Sequence, residues 1–573
     1  MSSVIITSSF RVPAFCEIPE EVFHCQIFIH FDYVWMYRVF RLVCKHSDRI
    51  VTRNSFSSVN ELKVFLDNNV YRTRSFIECC EKGYFQHVKS LRICGGRELS
   101  QLSKDMDLID VFDDDSCCSL QRLDTYLNCF PNLQKLQLDK RYFDDSIVKG
   151  MINCQNLKNL THLDLFSARI HDKSISLIVS NPLFSNLTCL RMNQILGKEC
   201  VKRICSSPYL SNLRDLQLLT CKIGDAGLYE ISQSTTLKQL TALDLYGNDI
   251  SFDGVKYIEH SSVFNNLISL NLQENNIPTE GIEYLATCKN LSNLEEFKFG
   301  RVLTAVSIRE IIAIFNGPMK KSRSLLFSPS SDAEFEQFIS CKNISSLKSL
   351  DMNCCCLFSN HGLTLLTNCE NLSQLETLRI GYTKVTNFMP LITSKYLKNL
   401  TALNVSGQGT LTSSTLLELS KAFPKLKVLD FAGNDGISMD SILQSLDHLK
   451  YLEVLYLPNI DWVSPEKIQQ FASHPVMARL THLTCTNKKN DFIMNFFGEF
   501  SQLENLTYLN MRGQPLSVEE VQVLASTPKL RNLRYLFLPR GCPATPLCDI
   551  LKKSPYLYGI NDGERNHLEG LFY

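Results

Sequence analysis

The chain has 573 residues with 59 basic and 59 acidic side chains, so its formal net charge is zero. No global field then selects nucleic acid or an anionic membrane as partner, and a mixed surface is expected instead. The 23 cysteines include Cys79-Cys80, Cys117-Cys118 and Cys354-Cys355-Cys356 but no C-x-x-C pair and no Cys/His run with zinc spacing. Scattered thiols of this kind point to a reducing compartment, cytoplasm or nucleus, and to no structural metal and no cofactor.

Residues 1–14 read as a tail. Met1 to Phe15 lack a basic segment followed by a long apolar core, so no secretory signal is expected. Residues 15–53 read as a compact helical module. Pro19 and the glutamates Glu20 and Glu21 open a helix-compatible run, because a first-turn proline loses no hydrogen bond and acidic groups suit the positive helix end. A second run, Val39-Phe40-Arg41-Leu42-Val43-Cys44-Lys45, closes the module. His24, Gln26, His30, Asp32, Arg38 and Arg41 interrupt the apolar stretch and exclude a transmembrane helix there.

This stretch resembles the F-box, a short three-helix module. Ile18, Pro19, Glu21, Val22, Ile27, Phe28, Val43, Cys44 and Lys45 match its pattern. The match needs one extra residue between Val22 and Ile27 and one after Asp32, and Ser47 stands where the family usually has Trp. The resemblance implies docking on the Skp adaptor of a cullin-RING ubiquitin ligase through Ile18, Pro19, Val22, Ile27, Phe28, Val43 and Cys44. A helical cap over the first repeat of an array is the other reading of the same residues, since solenoids need covered ends. Residues 54–85 read as a helical linker or cap.

From 86 to 573 the sequence is an array. The ladder L-x-x-L-x-L recurs every 25 to 28 residues, from Leu133/Leu136/Leu138 to Leu294/Phe297/Phe299, and again from Leu347/Leu350/Met352 to Leu533/Leu536/Leu538. Val88/Leu91/Ile93 is its expected first strand, set apart by an acidic insertion at about 100–120 that carries Asp105, Asp107, Asp110, Asp113, Asp114 and Asp115. Each triplet ends in the alternation of a half-buried strand. The following segments, led by Gly227, Gly254, Gly281 and Gly362, carry apolar residues at helical spacing. The period connecting those glycines predicts a degenerate repeat between Leu294 and Leu347. Ser517 to Glu520 has the spacing of a capping box. The expected fold is α/β, with parallel strands inside a solenoid and helices outside.

The array resembles the leucine-rich repeat family, in its longer subtypes with a full helix. Cys221, Asn248, Asn275, Cys355 and Asn434 match the family's Asn or Cys turn position, whereas Ala168, Thr383 and Gln408 depart from it. An F-box before such a solenoid is the architecture of a ligase substrate receptor, so the resemblance implies adaptor and cullin at one end and an unknown protein substrate on the strands. A scaffold or interaction module without a ubiquitin link is the alternative.

The middle x of successive ladders reads Gln137, Asp164, Arg191, Gln217, Asp244, Asn271 and Lys298, then Asp351, Arg379, Asn404, Asp430, Tyr456, Thr484, Asn510 and Phe537. Alternating signs suit a protein ligand, whereas a polyanion would want a basic stripe. Tyr456, Tyr508, Arg512, Tyr535 and Phe537 form the expected substrate patch, since Tyr and Arg are enriched at binding hot spots. The other reading is that these rings fill gaps between ladder rungs. No phosphate-binding loop, nucleophile elbow, H-E-x-x-H or dinucleotide fingerprint occurs, so no catalytic residue and no enzyme activity is expected. His162 and His482 share a Thr-His-Leu context and read as part of the repeat.

Overall fold

The computed structural model describes residues 61–66, 89–95, 127–139, 145–300, 306–459, 464–487, 496, 502–513 and 517–537, apart from 129, 167, 169, 435 and 534. They fall into two compact units that divide at about Thr304 and Ala305, with 317–320 counted to the first.

Each unit holds one nine-stranded parallel sheet whose strand order is the chain order. The first contains β1 (Glu61–Leu66), β2 (Ser90–Gly95), β3 (Lys135–Asp139), β4 (His162–Asp164), β5 (Cys189–Met192), β6 (Asp215–Leu218), β7 (Ala242–Asp244), β8 (Ser269–Asn271) and β9 (Glu296–Lys298). The second contains β10 (Ser324–Leu326), β11 (Ser349–Asp351), β12 (Thr377–Arg379), β13 (Ala402–Asn404), β14 (Val428–Asp430), β15 (Val454–Asn459), β16 (His482–Asn487), β17 (Tyr508–Gly513) and β18 (Tyr535–Phe537). Helices such as Gly224–Ser232, Phe252–Glu259 and Thr279–Leu285 return the chain between strands. This is the expected α/β solenoid architecture.

The register explains the ladder. Leu163, Leu190, Leu216, Leu243 and Leu270 are successive partners, as are Leu350, Leu378, Leu403, Leu429, Leu455, Leu483, Leu509 and Leu536. All are buried, so each rung covers the next and no repeat closes its own core. Truncating one such leucine to alanine costs about 2–5 kcal/mol.

Corners between strand and helix are held by amides. Asn275 Nδ2 donates to the carbonyls of Leu245 and Leu272, and its Oδ1 accepts from the amides of Asn248 and Ile250. Asn434 repeats the donor half toward Val405 and Phe431, and the thiols of Cys221 and Cys355 reach the carbonyls of Met192 and Phe327. Gln408, a departure in the sequence, does the same work with a longer arm, its Nε2 reaching the Ile380 carbonyl and the Thr383 hydroxyl. Gln194 likewise donates to Leu165 and Ala168.

The residue before Cys221, Asn248, Asn275, Cys355, Gln408 and Asn434 adopts positive φ. Gly407 has φ +66°, and a Cβ there would collide with Cε1 of Tyr382, whose ring crosses it. Gly254 answers a different demand. A side chain there would meet the Asp225 carboxylate, which accepts both the amide and hydroxyl of Ser251 at the next helix start.

The blurred repeat is present as helix Ile308–Asn316 and strand β10, with Leu325 and Phe327 buried. Its first ladder position is Ser322, which hides the pattern. Strand β1 shows that residues 61–66, within the segment expected to be helical, are extended. Leu62 and Val64 pair with Leu91 and Ile93 of β2, so the sheet begins one strand before Val88/Leu91/Ile93. The alternation E-L-K-V-F-L is a strand pattern too short to stand out alone. Among the described residues no helix is long and apolar enough to cross a membrane.

Candidate protein-binding face

Side chains alternate along a strand, so the positions flanking the buried leucines form two parallel rows on the opposite face of each sheet. Neighbouring strands lie about 4.8 Å apart, which brings side chains of one row into contact.

In the first unit these rows answer their own charges. Arg191 lies 3.4 Å from Asp164 and stacks over the Phe166 ring at 4.3 Å. Lys298 lies 3.0 Å from Glu296, which also accepts the Ser269 hydroxyl. Burial raises the Glu296 carboxyl, but Ser269 and Lys298 outweigh it and hold the group low. Burial raises Asp244 despite the Tyr246 amide and the Asn271 side chain.

His162, Cys189 and Asp215 occupy neighbouring register positions in the same row. The Cys189 thiol donates to Asp215 at 3.4 Å. Burial, then Asp215, push it up to about 12, so it is a hydrogen-bond donor and a poor nucleophile. Among the described residues no group of three or more His, Cys, Asp or Glu side chains is placed to hold a metal ion.

The second unit changes character along its length. At β11 and β12, Asp351 and Arg379 form a largely buried pair at 2.7 Å. Next, Asn404 Nδ2 donates to Asp430 at 2.8 Å, and burial pushes the Asp430 carboxyl up to about 6 against the Ala432 amide and Arg379. Beyond it the row becomes uncharged: Tyr456, Thr484, Asn510 and Phe537 are successive register partners.

The expected substrate patch divides here. Tyr508, Tyr535 and Phe537 come together, with ring centroids 6.3 Å from Tyr508 to Tyr535 and 5.1 Å from Tyr508 to Phe537. Tyr508 is buried, so it is the wall of the cluster, while Tyr535 and Phe537 stay half-buried. Tyr456, also half-buried, stands in the row two strands before Asn510. Arg512 pairs with Thr486 in the β17 register, and its side chain lies outside the described residues.

His482 belongs to the cluster and was missed by sequence reasoning. Its ring stacks on Tyr508 at 5.4 Å, and burial lowers its pKa to about 4. The signal lay in reading one position across three repeats: His482, Tyr508 and Tyr535. The adaptor-docking residues Ile18, Pro19, Val22, Ile27, Phe28, Val43 and Cys44, and the acidic insertion, lie outside the described residues.

A family model described as leucine rich repeat matches residues 156–179 and 265–286. At these two segments the chain carries leucine-rich repeats. The matched segments each span one strand and the helix after it, β4 with Asp172–Val179 and β8 with Thr279–Leu285. Among solved structures the chain is similar to an internalin, InlF, of Listeria monocytogenes, at 14% identity over 83% of this chain and 94% of that one, with a TM-score of 0.23. It is similar to the TLR13–ssRNA13 complex at 15% identity over 86% and 59%, with a TM-score of 0.27. It is also similar to yeast Rad7 in its complex with Elc1, at 15% identity over 52% and 81%, with a TM-score of 0.36. No curated protein matches the sequence.

Proposed function

We propose that this chain is a protein-binding subunit with no bond chemistry of its own, in which the strand-face rows hold a protein ligand. In this reading the F-box-like segment at residues 15–53 ties the chain to the Skp adaptor and, through it, to a cullin-RING ubiquitin ligase. The carrying observation for the binding half is that charges in the rows are answered within the sheet, as in Asp351–Arg379 and Asp164–Arg191, leaving mixed polar and aromatic contacts. That chemistry suits a protein and gives a polyanion no basic stripe. The ubiquitin half rests on the matched positions Ile18, Pro19, Val22, Ile27, Phe28, Val43 and Cys44.

The test is co-purification of the full chain with a Skp adaptor, beside a deletion of residues 1–53 and a triple variant Pro19→Ala, Ile27→Ala, Phe28→Ala. The expected result is capture by the intact chain and loss in both variants, with unchanged circular dichroism of the repeats. No capture by a folded intact chain overturns the ligase assignment and leaves an interaction module without a ubiquitin link.

A further inference from the structure

Thr484 and Asn510 are direct register partners on β16 and β17, in the middle row of the second sheet. Asn510 is 5% exposed, yet its carboxamide makes no hydrogen bond among the described residues, and both its Oδ1 and the Thr484 hydroxyl are buried without a partner. Elsewhere in the row the carboxamide and the carboxylates find partners within the sheet. Asn404 donates to Asp430 and accepts from Ser406, and Asp351 takes Arg379. Buried polar groups are rarely left unmet in a finished fold, so a local pair of them marks a place where a partner supplies the missing atoms.

The surroundings narrow what that partner is. His482, Tyr508, Tyr535 and Phe537 lie beside the pair on the same strand face, with the other three rings 5.1 to 6.3 Å from Tyr508, and Tyr535 and Phe537 are half-buried. His482 stays neutral near pH 7, because burial keeps its pKa near 4. None of these side chains therefore carries a charge, in contrast to the ionic stretch around Asp351, Arg379 and Asp430. A carboxamide offers one donor group and one acceptor, which matches a peptide N–H and C=O. Aromatic walls favour a flat or rigid apolar side chain. A phosphate or a carboxylate would meet no cation among the described side chains of this cluster.

We propose that this aromatic box takes an uncharged, extended peptide segment of a partner protein, the Asn510 carboxamide pairing with its main chain while an aromatic or proline side chain sits against Tyr535 and Phe537. The inference rests on the protein-binding reading and assigns it a ligand class and a place.

The test is to pan a phage-displayed library of random dodecapeptides against the full chain. Selected sequences are then synthesised with blocked ends and measured by fluorescence anisotropy. The expected result is enrichment of peptides without net charge that contain an aromatic residue or proline, with affinity falling at least about tenfold in Asn510→Leu. Phe537→Ala is a second variant at the more open edge, expected to weaken the same peptides should Asn510→Leu fail to fold. Enrichment of acidic or basic peptides, uncharged peptides whose affinity neither variant moves, or no enrichment at all overturns the inference. Enrichment of charged peptides leaves the protein-binding reading standing, and adaptor capture reports separately on the ligase assignment.

Discussion

His162 and His482 begin from the same Thr-His-Leu context, and each ring nitrogen Nδ1 lies 2.8 Å from the preceding threonine hydroxyl. Their neighbours set them apart. Burial, then Lys135, lowers the pKa of His162, whereas His482 is stacked on Tyr508 and lowered to about 4 by burial alone. A free imidazole titrates near 6.5, so between about 6.5 and 4 the unfolded chain binds a proton that folded His482 refuses. The His482 contribution is therefore whole above about pH 6.5 and is lost as pH falls toward 4. The ring is partly open to solvent, so the loss is discounted to roughly 1–2 kcal/mol. Asp430 works the other way, because its raised carboxyl favours the folded state below the ordinary carboxylate range and the benefit is lost as pH rises through about 6. His482→Phe keeps a ring on Tyr508 and removes the histidine's proton, so its stability relative to the native chain is expected to improve by that roughly 1–2 kcal/mol between pH 7.5 and 4.5. Urea unfolding at the two pH values measures it, and an unchanged difference would show that His482 titrates normally. None of this was legible in the triplet itself, because the shift belongs to side chains one repeat away.

At the scale of the repeat, local chemistry was readable and reach was not. The capping box appeared as predicted, with Ser517 Oγ accepting from the Glu520 amide and Glu520 accepting from the Ser517 amide, because both partners lie within four residues. Corner amides were readable where the residue was Asn or Cys. They were hidden at Gln194 and Gln408, where a longer side chain spans the same gap. Strand β1 was hidden because its short alternation has meaning only beside β2. The corner makes a sharp demand. Removing the Asn275 carboxamide frees the Leu272 carbonyl of its own turn, and the Leu245 carbonyl and the Asn248 and Ile250 amides of the preceding turn, in a buried place. Asn275→Ala is expected to cost roughly 2–4 kcal/mol. Hydrogen exchange reads the effect directly: the amides of Asn248 and Ile250 should lose protection first, and retained protection at both would mean that the turn holds without its amide.

For the molecule as a whole, the period in the sequence gave the parallel solenoid because every rung repeats one requirement, burial against the next. It did not reveal that β9 and β10 belong to separate sheets, since Ser322 and the altered spacing around it look only like a weak repeat. Nor did the scattered cysteines disclose their individual chemistry. Twelve cysteines from Cys154 to Cys485 are free, and burial pushes Cys200, Cys205, Cys221, Cys288 and Cys485 up to about 12. Alkylation needs both access and thiolate. Exposed Cys354 and Cys356 should therefore label first in a brief iodoacetamide pulse at pH 7.5 resolved by peptide mass spectrometry, and buried Cys221 and Cys485 only after denaturation. Cys189 separates the two factors, because it is half-exposed on the strand face and yet pushed up to about 12 by burial and by Asp215. If thiolate supply governs, Cys189 labels about a hundredfold or more slowly than a free thiol such as glutathione despite its access. Labelling at the same rate would place a reactive thiol between His162 and Asp215 and return nucleophilic chemistry to a face read here as a binding surface.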